Sequence, residues 1–444
     1  MSEPSPGRVP LPVIAREWGR IGITGFGGPP AHITLLRKLC VQERKWLAEP
    51  EFEDGLATVN LLPGPASTQL AIYCAWRLRG SWGALLGGAC FIVPGLAVIL
   101  VLAAVFLAAH PPGWIAGGAL GAGAAVPAVA VAAAAGLVPA SWRRASAATP
   151  EPGGQARPGS GIEAAPGGAG SANPGQRRQA SPAAKPWTTR MRGAWARRAR
   201  TRWARARWVC YLLAGGAAAA LVGPWLVLVL AGCGVAEAVF RRRPTTSRGR
   251  AGRAGLLLPL AGAVPAAGGL GALVWVAVKV GALSYGGGFV IIPLMQRDAV
   301  HTYHWMSAGQ FLTAVALGQV TPGPVVQTVA VVGYAAAGVG GGLLAALVAF
   351  SPSFGFVLGG GSHFGRLRRN PAVQAFLTGA CPAAIGAIAG AAIPLGFSLV
   401  QPWQAGVLAL AAGWLVVLRR GVVTGIVGAA LLGVLLYLAG APVT

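Results

Sequence analysis

An apolar stretch that is broken by Pro-Gly-Pro and followed by polar side chains occurs twice in this chain. The first copy occupies residues 60–69 and the second occupies residues 319–328, 259 positions later. Residues on both sides of the motif recur at the same offset, including the tryptophans Trp46 and Trp305. Similarity of this length in one ungapped register indicates an internal duplication. Each half must therefore accommodate the same interruption within an apolar segment.

The apolar stretches around these motifs are long enough to cross a membrane. Of the 444 residues 55% are hydrophobic and only 11% are charged, and the mean hydropathy is +0.61. Many runs match the roughly 20 residues that a spanning helix needs. Only helices or a closed barrel satisfy the backbone in lipid, and these runs do not alternate in polarity. The sequence predicts an all-α, polytopic integral protein of the plasma membrane, and the polar residues 1–10 predict no cleavable signal peptide.

The net charge of +25 is concentrated in one part of the chain. Residues 143–253 contain 20 of the 36 lysines and arginines. Basic blocks beside membrane segments indicate solvated cytoplasmic loops, so we expect no nucleic-acid partner; contact with anionic membrane lipid is the second interpretation. The six cysteines are scattered, with no Cys-x-x-Cys pair, and we interpret them as apolar packing residues.

Proline and glycine divide the apolar runs into short and long helices. Residues 51–76 have positive charge at both ends and the first Pro-Gly-Pro near the middle. They are too short for two spans, which predicts a re-entrant hairpin with the break at its tip. Residues 11–38 fit the same description around a glycine-rich break, whereas residues 81–109 and 113–141 predict full spans. Irregular backbone at membrane depth is tolerated only against protein or a wet cavity.

The composition changes sharply at several points and predicts five divisions. Residues 143–207 are rich in Ala, Gly, Pro, Ser and Arg, which is typical of disorder, although residues 190–207 could form an interfacial basic helix. The predicted divisions are the first repeat core (1–142), a disordered basic cytoplasmic linker (143–207), a helical hairpin closing the first repeat (208–240), a second basic linker (241–253) and the second repeat (254–444).

The distribution of positive charge predicts that the two repeats have opposite orientations in the membrane. The first half is basic at residues 77–79 and uncharged at 110–113, whereas the second half is uncharged at 336–338 and basic at 366–369. An extra crossing supplied by residues 255–270 would produce this inversion. Inverted repeats with broken helices that meet near the midplane are typical of secondary transporters.

The broken helices are also the predicted substrate site. A half-helix that begins after a break presents unpaired N–H groups and a dipole that favour an anion, and glycine allows close approach to the backbone. The alternative is that these residues only kink helices and permit tight packing. The candidate residues are Gly27, Gly28, His32, Asn60, Pro63, Gly64, Pro65, Ser67, Thr68, Gln69, Gly286, Gly287, Gly288, Gln319, Pro322, Gly323, Pro324, Gln327 and Thr328.

Charged residues near the breaks favour an anionic substrate over a cation. After residue 253 the sequence has a single acidic residue, Asp298, whereas cation pathways are usually lined with Asp or Glu. Arg37 and Arg297 are candidates for steering or binding, and Asp298 could pair with Arg297 or carry a coupling proton. The alternative for each is an anchor or loop residue at the membrane surface. His32 could donate to substrate, titrate or bind the local backbone.

Signatures of other chemistry are absent from the sequence. The phosphate-binding pattern Gly-x-x-x-x-Gly-Lys-Ser/Thr does not occur, so ATP-driven transport is not indicated. Residues 286–288 form no dinucleotide fingerprint, because they lie within an apolar segment, and no Ser-His-Asp set can be assembled. We therefore predict no enzymatic activity, no cofactor and no metal site.

Four motifs carry a family resemblance: Phe26-Gly27-Gly28-Pro29 with Ala31-His32-Ile33, residues 62–70, Tyr285-Gly286-Gly287-Gly288 with Pro293-Leu294, and Pro322-Gly323-Pro324. At these residues the sequence resembles the chromate ion transporter family in its two-domain form. The resemblance covers both halves and leaves out the linkers and termini. It implies an oxyanion transporter that exports chromate, with a link to sulfate and to the membrane potential or proton gradient.

Two other functions stay open from the sequence. The first is a permease for sulfate or another divalent anion. The second is a non-transporting membrane scaffold whose basic linker binds lipids or protein partners. The expected partners are a small inorganic oxyanion and membrane lipid, and a homodimer is left open.

Overall fold

The protein is an all-α membrane protein, as the sequence predicts. The computed structural model describes residues 9–60, 62, 64–108, 111–147, 187–222, 226–241, 269–284, 288–360 and 370–443. Within these ranges the regular structure is helical throughout. Four of the described helices are long and apolar enough to cross a membrane: Ala66–Phe106, Gly113–Ala145, Val325–Gly360 and Pro371–Phe397.

The described helices fall into two series with the same order. The first series is α1 Leu11–Thr24, α2 Pro29–Arg37, α3 Glu49–Val59, α4 Ala66–Phe106, α5 Gly113–Ala147, α6 Trp187–Ala217 and α7 Leu226–Arg241. The second series is α8 Leu270–Leu283, α9 Ile292–Gln296, α10 Ala308–Val320, α11 Thr328–Gly360, α12 Pro371–Phe397, α13 Pro402–Ala412 and α14 Val422–Leu438. Helices α1 and α8 have 14 residues each and begin 259 positions apart. The π-helical turns Lys38–Glu43 and Arg297–Thr302 repeat at the same offset.

Helix α3 and the first segment of α4 form a helical hairpin around the first Pro-Gly-Pro. At its open end Arg77 forms an ion pair with Glu51, and farther in Gly55 packs against the ring of Tyr73. These pairings show that the two segments are antiparallel. The break therefore lies at the closed end of the hairpin, which matches the predicted arrangement.

Helix α4 reverses direction at Arg79 and Gly80, whose backbone angles are not helical. Gly80 has a φ of +63°, which glycine adopts without steric cost. Beyond the turn, Gly83 packs against the carbonyl of Ala75, so residues 81–106 return alongside residues 66–78. Helix α11 makes the same reversal at Gly338, where φ is +64°.

The two reversals are 258 positions apart, not 259. The expected ungapped register is therefore wrong beyond the Pro-Gly-Pro motifs. Helix α4 begins directly at Ala66, whereas α11 is preceded by the 3₁₀ turn Val325–Gln327. A 3₁₀ turn rises about 2.0 Å per residue against about 1.5 Å in an α-helix, so one residue fewer covers the same length.

The one-residue shift between the halves changes which core residues are structurally equivalent. Gly22 of α1 packs against the carbonyl of Phe91, and its counterpart Gly281 packs against the carbonyl of Ala349. Phe91 is therefore structurally equivalent to Ala349, although the constant offset pairs it with Phe350.

Each terminal hairpin packs against the long helix of the other half. Gly386 of α12 approaches the backbone of Leu212 in α6, while Gly433 of α14 approaches the backbone of Gly117 in α5. Helices α5 and α12 also pack against each other. Small residues allow this close approach between membrane helices. The hairpin that was assigned to the first repeat thus contributes packing surface to the second.

The two ends of the basic linker are helical. Residues 143–147 belong to α5, where disorder was predicted, and residues 187–207 belong to α6, which agrees with the alternative of a basic helix over residues 190–207. Alanine and arginine favour helix, and Trp208 of α6 packs edge-on against Trp142 of α5 at 4.9 Å. The predictions for the remaining linker, for the second linker from residue 242, and for residues 255–268 and 366–369 fall outside the described residues.

Candidate functional site

The first glycine break and the second Pro-Gly-Pro are in direct contact. The backbone N–H of Gly323 donates to the carbonyl of Gly25 at 3.1 Å. A methyl group built on Gly28 would lie 3.7 Å from Cγ2 of Val325. One built on Gly288, in the second glycine break, would lie 3.3 Å from Cγ2 of Val326. Breaks that are far apart in the chain therefore meet in the fold.

His32 supports the first glycine break. Its Nε2 atom lies 2.8 Å from the carbonyl oxygen of Gly25, and its ring packs edge-on against Phe91 at 5.0 Å. Of the roles predicted for His32, this geometry is that of a backbone partner. It leaves Nδ1 buried without a hydrogen-bond partner among the described residues.

The second tip comprises residues 321–324. The polar side chains that follow it directly in the chain form hydrogen bonds within the protein. The amide of Gln327 donates to the carbonyl of Ile92 at 2.9 Å, and the hydroxyl of Thr328 donates to the carbonyl of Val325 at 2.8 Å. Gly95 of α4 packs so closely that a methyl group there would overlap the carbonyl oxygen of Pro322. The predicted site residues Gln327 and Thr328 thus each make a hydrogen bond within the protein.

The first tip, which comprises Leu62, Gly64 and Pro65, has a different environment. Gly64 has a φ of +122°, and Pro65 precedes α4 without a side-chain hydrogen bond to cap the helix. A methyl group on Gly64 would overlap the amide of Gln69 and lie 3.3 Å from Oγ of Ser353 in α11. Ser67 in the first turn of α4 is only 1% exposed.

Buried polar atoms without partners are concentrated at the breaks. Leaving such an atom unpaired costs about 1–3 kcal/mol, so a cluster of them indicates a place where water or a ligand binds. Within the described residues, the atoms of this kind at or beside the breaks are His32 Nδ1, Ser67 Oγ, Thr68 Oγ1, Ser284 Oγ, Gln319 Nε2, Gln327 Oε1 and Ser353 Oγ.

The first tip opens into a cavity of about 110 Å³. One water requires roughly 10–15 Å³ of such space, so a small hydrated anion fits. Asn60 and Gly64 line the cavity from the tip, and Arg144 lines it from the end of α5. The remaining lining residues are Val59, Leu62, Ala66, Leu137, Ala140, Ser141, Cys381, Ala384, Ile385 and Ile388. Arg144 was not among the site residues predicted from the sequence, because it lies at the start of the basic segment 143–207.

Arg37 and Asp298 form ion pairs away from the breaks. Arg37 of α2 pairs with Glu53 and, at 3.2 Å, with Glu49, both on α3. Asp298 accepts a hydrogen bond from Lys279 of α8, whereas the sequence analysis considered Arg297 as its partner. Arg297 itself is exposed. These contacts connect helices, and the coupling role of Asp298 stays a prediction.

The structure describes most of the other predicted site residues. Gln319 is 8% exposed and lies near the end of α10, and Pro324 directly precedes the 3₁₀ turn. Pro63, Gly286 and Gly287 lie outside the described residues. Among the residues searched, no group of three or more His, Cys, Asp and Glu side chains is placed to hold a metal ion.

Long apolar helices and paired helix breaks with buried, unpartnered polar groups define a polytopic membrane protein of the transporter type. The chain belongs to the chromate transporter family, whose model matches residues 13–238 and 271–434. The two matched segments correspond closely to the two helix series, and the second begins beside the start of α8.

Named relatives match along almost the whole chain. The chromate transport protein of Cupriavidus metallidurans is 28% identical over 429 residues, which cover 94% of this chain and 91% of that protein. A probable chromate transport protein of Synechococcus elongatus is 27% identical, with 91% of this chain and 90% of that protein covered. The chromate transport protein of Pseudomonas aeruginosa is 27% identical, with 89% and 83% covered. No solved structure matches the chain.

Proposed function

We propose that this protein is a secondary transporter that exports an oxyanion, chromate in the first instance, across the plasma membrane. The observation that carries the proposal is the set of buried, unpartnered hydroxyl groups beside the N-terminus of α4 at the first tip. The names of the relatives, which match over about nine-tenths of the chain, support chromate as the substrate.

The first tip offers an anion two kinds of hydrogen-bond donor. The N–H groups in the first turn of an α-helix have no partner within the helix, and the helix dipole adds partial positive charge there. Ser67 and Thr68 can donate their hydroxyl protons to an oxyanion, and Gly64, which has no side chain, lines the cavity beside them. Hydrogen bonds to a charged acceptor are stronger than those to a neutral one.

Flux into everted membrane vesicles tests both substrate and direction. Radiolabelled chromate should accumulate with saturable kinetics in vesicles that contain the protein, because uptake into an everted vesicle corresponds to export from the cell. Radiolabelled sulfate measured in parallel distinguishes a chromate exporter from a general divalent-anion permease. An uncoupler should abolish accumulation if the proton gradient drives transport. Flux no higher than in vesicles without the protein would disprove transport of these anions.

We also propose that the two halves are inserted in opposite orientations. The matched bounds of α1 and α8 support a shared architecture, and the reversed charge pattern supports the inversion. Glu43→Cys and Thr302→Cys occupy equivalent ends of the two π-helical turns. A membrane-impermeant thiol reagent should label position 43 from the cytoplasm and position 302 from outside. Labelling of both from one side would contradict the inversion.

The linker is proposed to be cytoplasmic and dispensable for transport. Since α6 begins at Trp187, a deletion that spares the helices removes residues 150–185. The shortened protein should retain its flux per folded molecule. Loss of flux at normal protein amount would instead favour a role for the linker in the activity.

A further inference from the structure

We propose that Arg144 is an anion-binding residue, which holds the oxyanion in the cavity that opens onto the first tip. The inference rests on the proposed function. It adds a positively charged residue, a cavity that leads to the first tip, and a difference between the two halves.

The residues that line the cavity favour a bound anion over a bound cation. Arg144 is the one charged residue among the described residues that line the cavity, and no carboxylate lines it. Most of the other lining side chains are aliphatic, from Leu137 on α5 to Ile388 on α12. Water is partly excluded beside such walls, and the attraction between opposite charges is stronger there than in bulk water.

The cavity connects Arg144 with the start of α4. Gly64 and Ala66 belong to its lining, and Ala66 is the first residue of that helix. An anion in the cavity is therefore flanked by a guanidinium group on one side and by the N-terminal end of a helix on another. Asn60 and Ser141 supply neutral polar groups to the same wall. The hydroxyl oxygen of Ser141 already accepts a hydrogen bond from Trp208 at 2.9 Å, which fixes that side chain.

Arg144 differs from Arg37, Arg44 and Arg77 in having no carboxylate partner among the described residues. Arg37, Arg44 and Arg77 each pair with a glutamate. Arg144 forms no ion pair with any described carboxylate. Its charge is thus available to an anion from solution, whereas the charges of the paired arginines are largely compensated within the protein.

The position of α12 that matches Arg144 has no cation. Pro127 and Pro139 of α5 recur as Pro382 and Pro394 of α12, with 12 residues between the prolines in both helices. This spacing aligns Arg144 with Leu399, five residues after Pro394. The cation belongs to the half whose tip carries the unpartnered hydroxyls of Ser67 and Thr68.

A competing explanation is that Arg144 only complements the dipole at the end of α5 or anchors this end at the membrane surface. Arg143 serves as the matched control, because it has the same charge as Arg144, is exposed like Arg144 and lies at the same helix end. Its Nε donates to the carbonyl of Pro139 at 3.3 Å, and it does not line the cavity. A dipole or anchoring effect should therefore appear in both arginines, whereas anion binding should appear in Arg144 alone.

The decisive experiment compares Arg144→Gln, Arg144→Lys and Arg143→Gln in the full-length protein in proteoliposomes. We expect Arg144→Gln to raise the half-saturating chromate concentration roughly 10-fold, the usual effect of losing one hydrogen bond to a charged group. Arg144→Lys should restore part of the affinity, and Arg143→Gln should change it less than about 2-fold. The affinity of the unmodified protein should fall with added salt, and that of Arg144→Gln should fall less. Equal effects of Arg144→Gln and Arg143→Gln would overturn the proposal.

A second measurement separates this inference from transport itself. Ala140→Cys places a thiol in the cavity wall, and sulfate serves as an anion that does not oxidise it. Sulfate should slow alkylation at position 140, and Arg144→Gln in the same background should remove this protection. Flux without protection at position 140 would overturn the cavity site and leave the transport function standing. Protection without any flux would support the site and count against the proposed function.

Discussion

At the first tip, Gly64 is followed by Ser67 and Thr68, whose buried hydroxyls have no hydrogen-bond partner among the described residues. At the second tip the positions equivalent to Ser67 and Thr68 are Val325 and Val326, which have no polar side-chain atoms. Both tips have a glycine with positive φ and a following half-helix. The duplicated backbone break therefore occurs with two different side-chain chemistries.

The helix that faces each tip shows the same contrast. Gly95 of α4 packs tightly on the second tip, and Ser353, its counterpart in α11 at an offset of 258, brings a hydroxyl beside Gly64. The Gly323 amide of the second tip is bonded to Gly25. We therefore expect substitutions at the first tip to change anion affinity and substitutions at the second tip to change stability.

The largest effect is expected for Gly95→Ala. The added methyl group would overlap the carbonyl oxygen of Pro322 and lie 2.7 Å from Oε1 of Gln327, so the backbone must move. We expect a loss of about 3 kcal/mol in the free energy of unfolding, at the upper end of the range for overpacking. Thermal unfolding in detergent measures it. Gly355→Ala is the control, because nothing lies within 4 Å of that position. Equal stability of the two variants would contradict tight closure of the second tip.

Gly64→Ala should have the next largest effect, and this effect should be on transport at low chromate. The methyl group displaces the amide of Gln69 and crowds the hydroxyl of Ser353 at the tip, and the φ of +122° becomes strained, at a cost of about 1–3 kcal/mol. We expect flux per folded molecule at low chromate to fall roughly 10-fold or more. Gly80→Ala introduces positive-φ strain where nothing lies within 4 Å, and should leave affinity unchanged. A drop in protein amount with normal affinity in Gly64→Ala would assign Gly64 to folding alone.

Thr68 and Thr328, the threonines that follow the two tips, give the sharpest contrast between an effect on affinity and an effect on stability. Thr68→Val keeps the shape and removes an unpartnered hydroxyl, so apparent chromate affinity should weaken roughly 10-fold at normal expression. Thr328→Val removes the bond to Val325, which should cost about 0.5–1.5 kcal/mol of stability and leave affinity unchanged. Measuring half-saturation and thermal unfolding for both variants tests the comparison. Unchanged affinity in Thr68→Val would remove that residue from the site.

The smallest effect is expected for Ser353→Ala, which removes the hydroxyl that faces Gly64. This hydroxyl lies across Gly64 from the start of α4, so we expect its loss to cost no more than a neutral hydrogen bond, about 0.5–1.5 kcal/mol, and half-saturating chromate to rise roughly 2- to 10-fold. Ser351→Ala is the control, since its hydroxyl donates to the carbonyl of Val348 and is exposed. The same affinity in both variants would show that Ser353 does not contact the anion.

The candidate site was predictable from the sequence only in part. The Pro-Gly-Pro pair identified both tips, and the polar residues after the first motif identified Ser67 and Thr68. Ser353 and Arg144 were missed, because they lie far along the chain from the motif that they face. The constant offset also paired Gln69 with Thr328. In the structure Gln69 and Gln327 occupy matching positions, each with its side-chain amide beside the glycine of its tip.

The sequence by itself determined the apolar spans, the duplicated breaks and the membrane class, because hydropathy and the backbone limits of proline and glycine act locally. Only the tertiary structure decided that the hydroxyls of Ser67 and Thr68 stay unpartnered whereas that of Thr328 is bonded. The partners that satisfy the second tip come from remote segments, as in the bond between Gln327 and Ile92, 235 positions apart. The one-residue shift between the halves is also visible only in the structure. Three residues of 3₁₀ helix rise about as far as four residues of α-helix, so the two halves cover the same length with different numbers of residues.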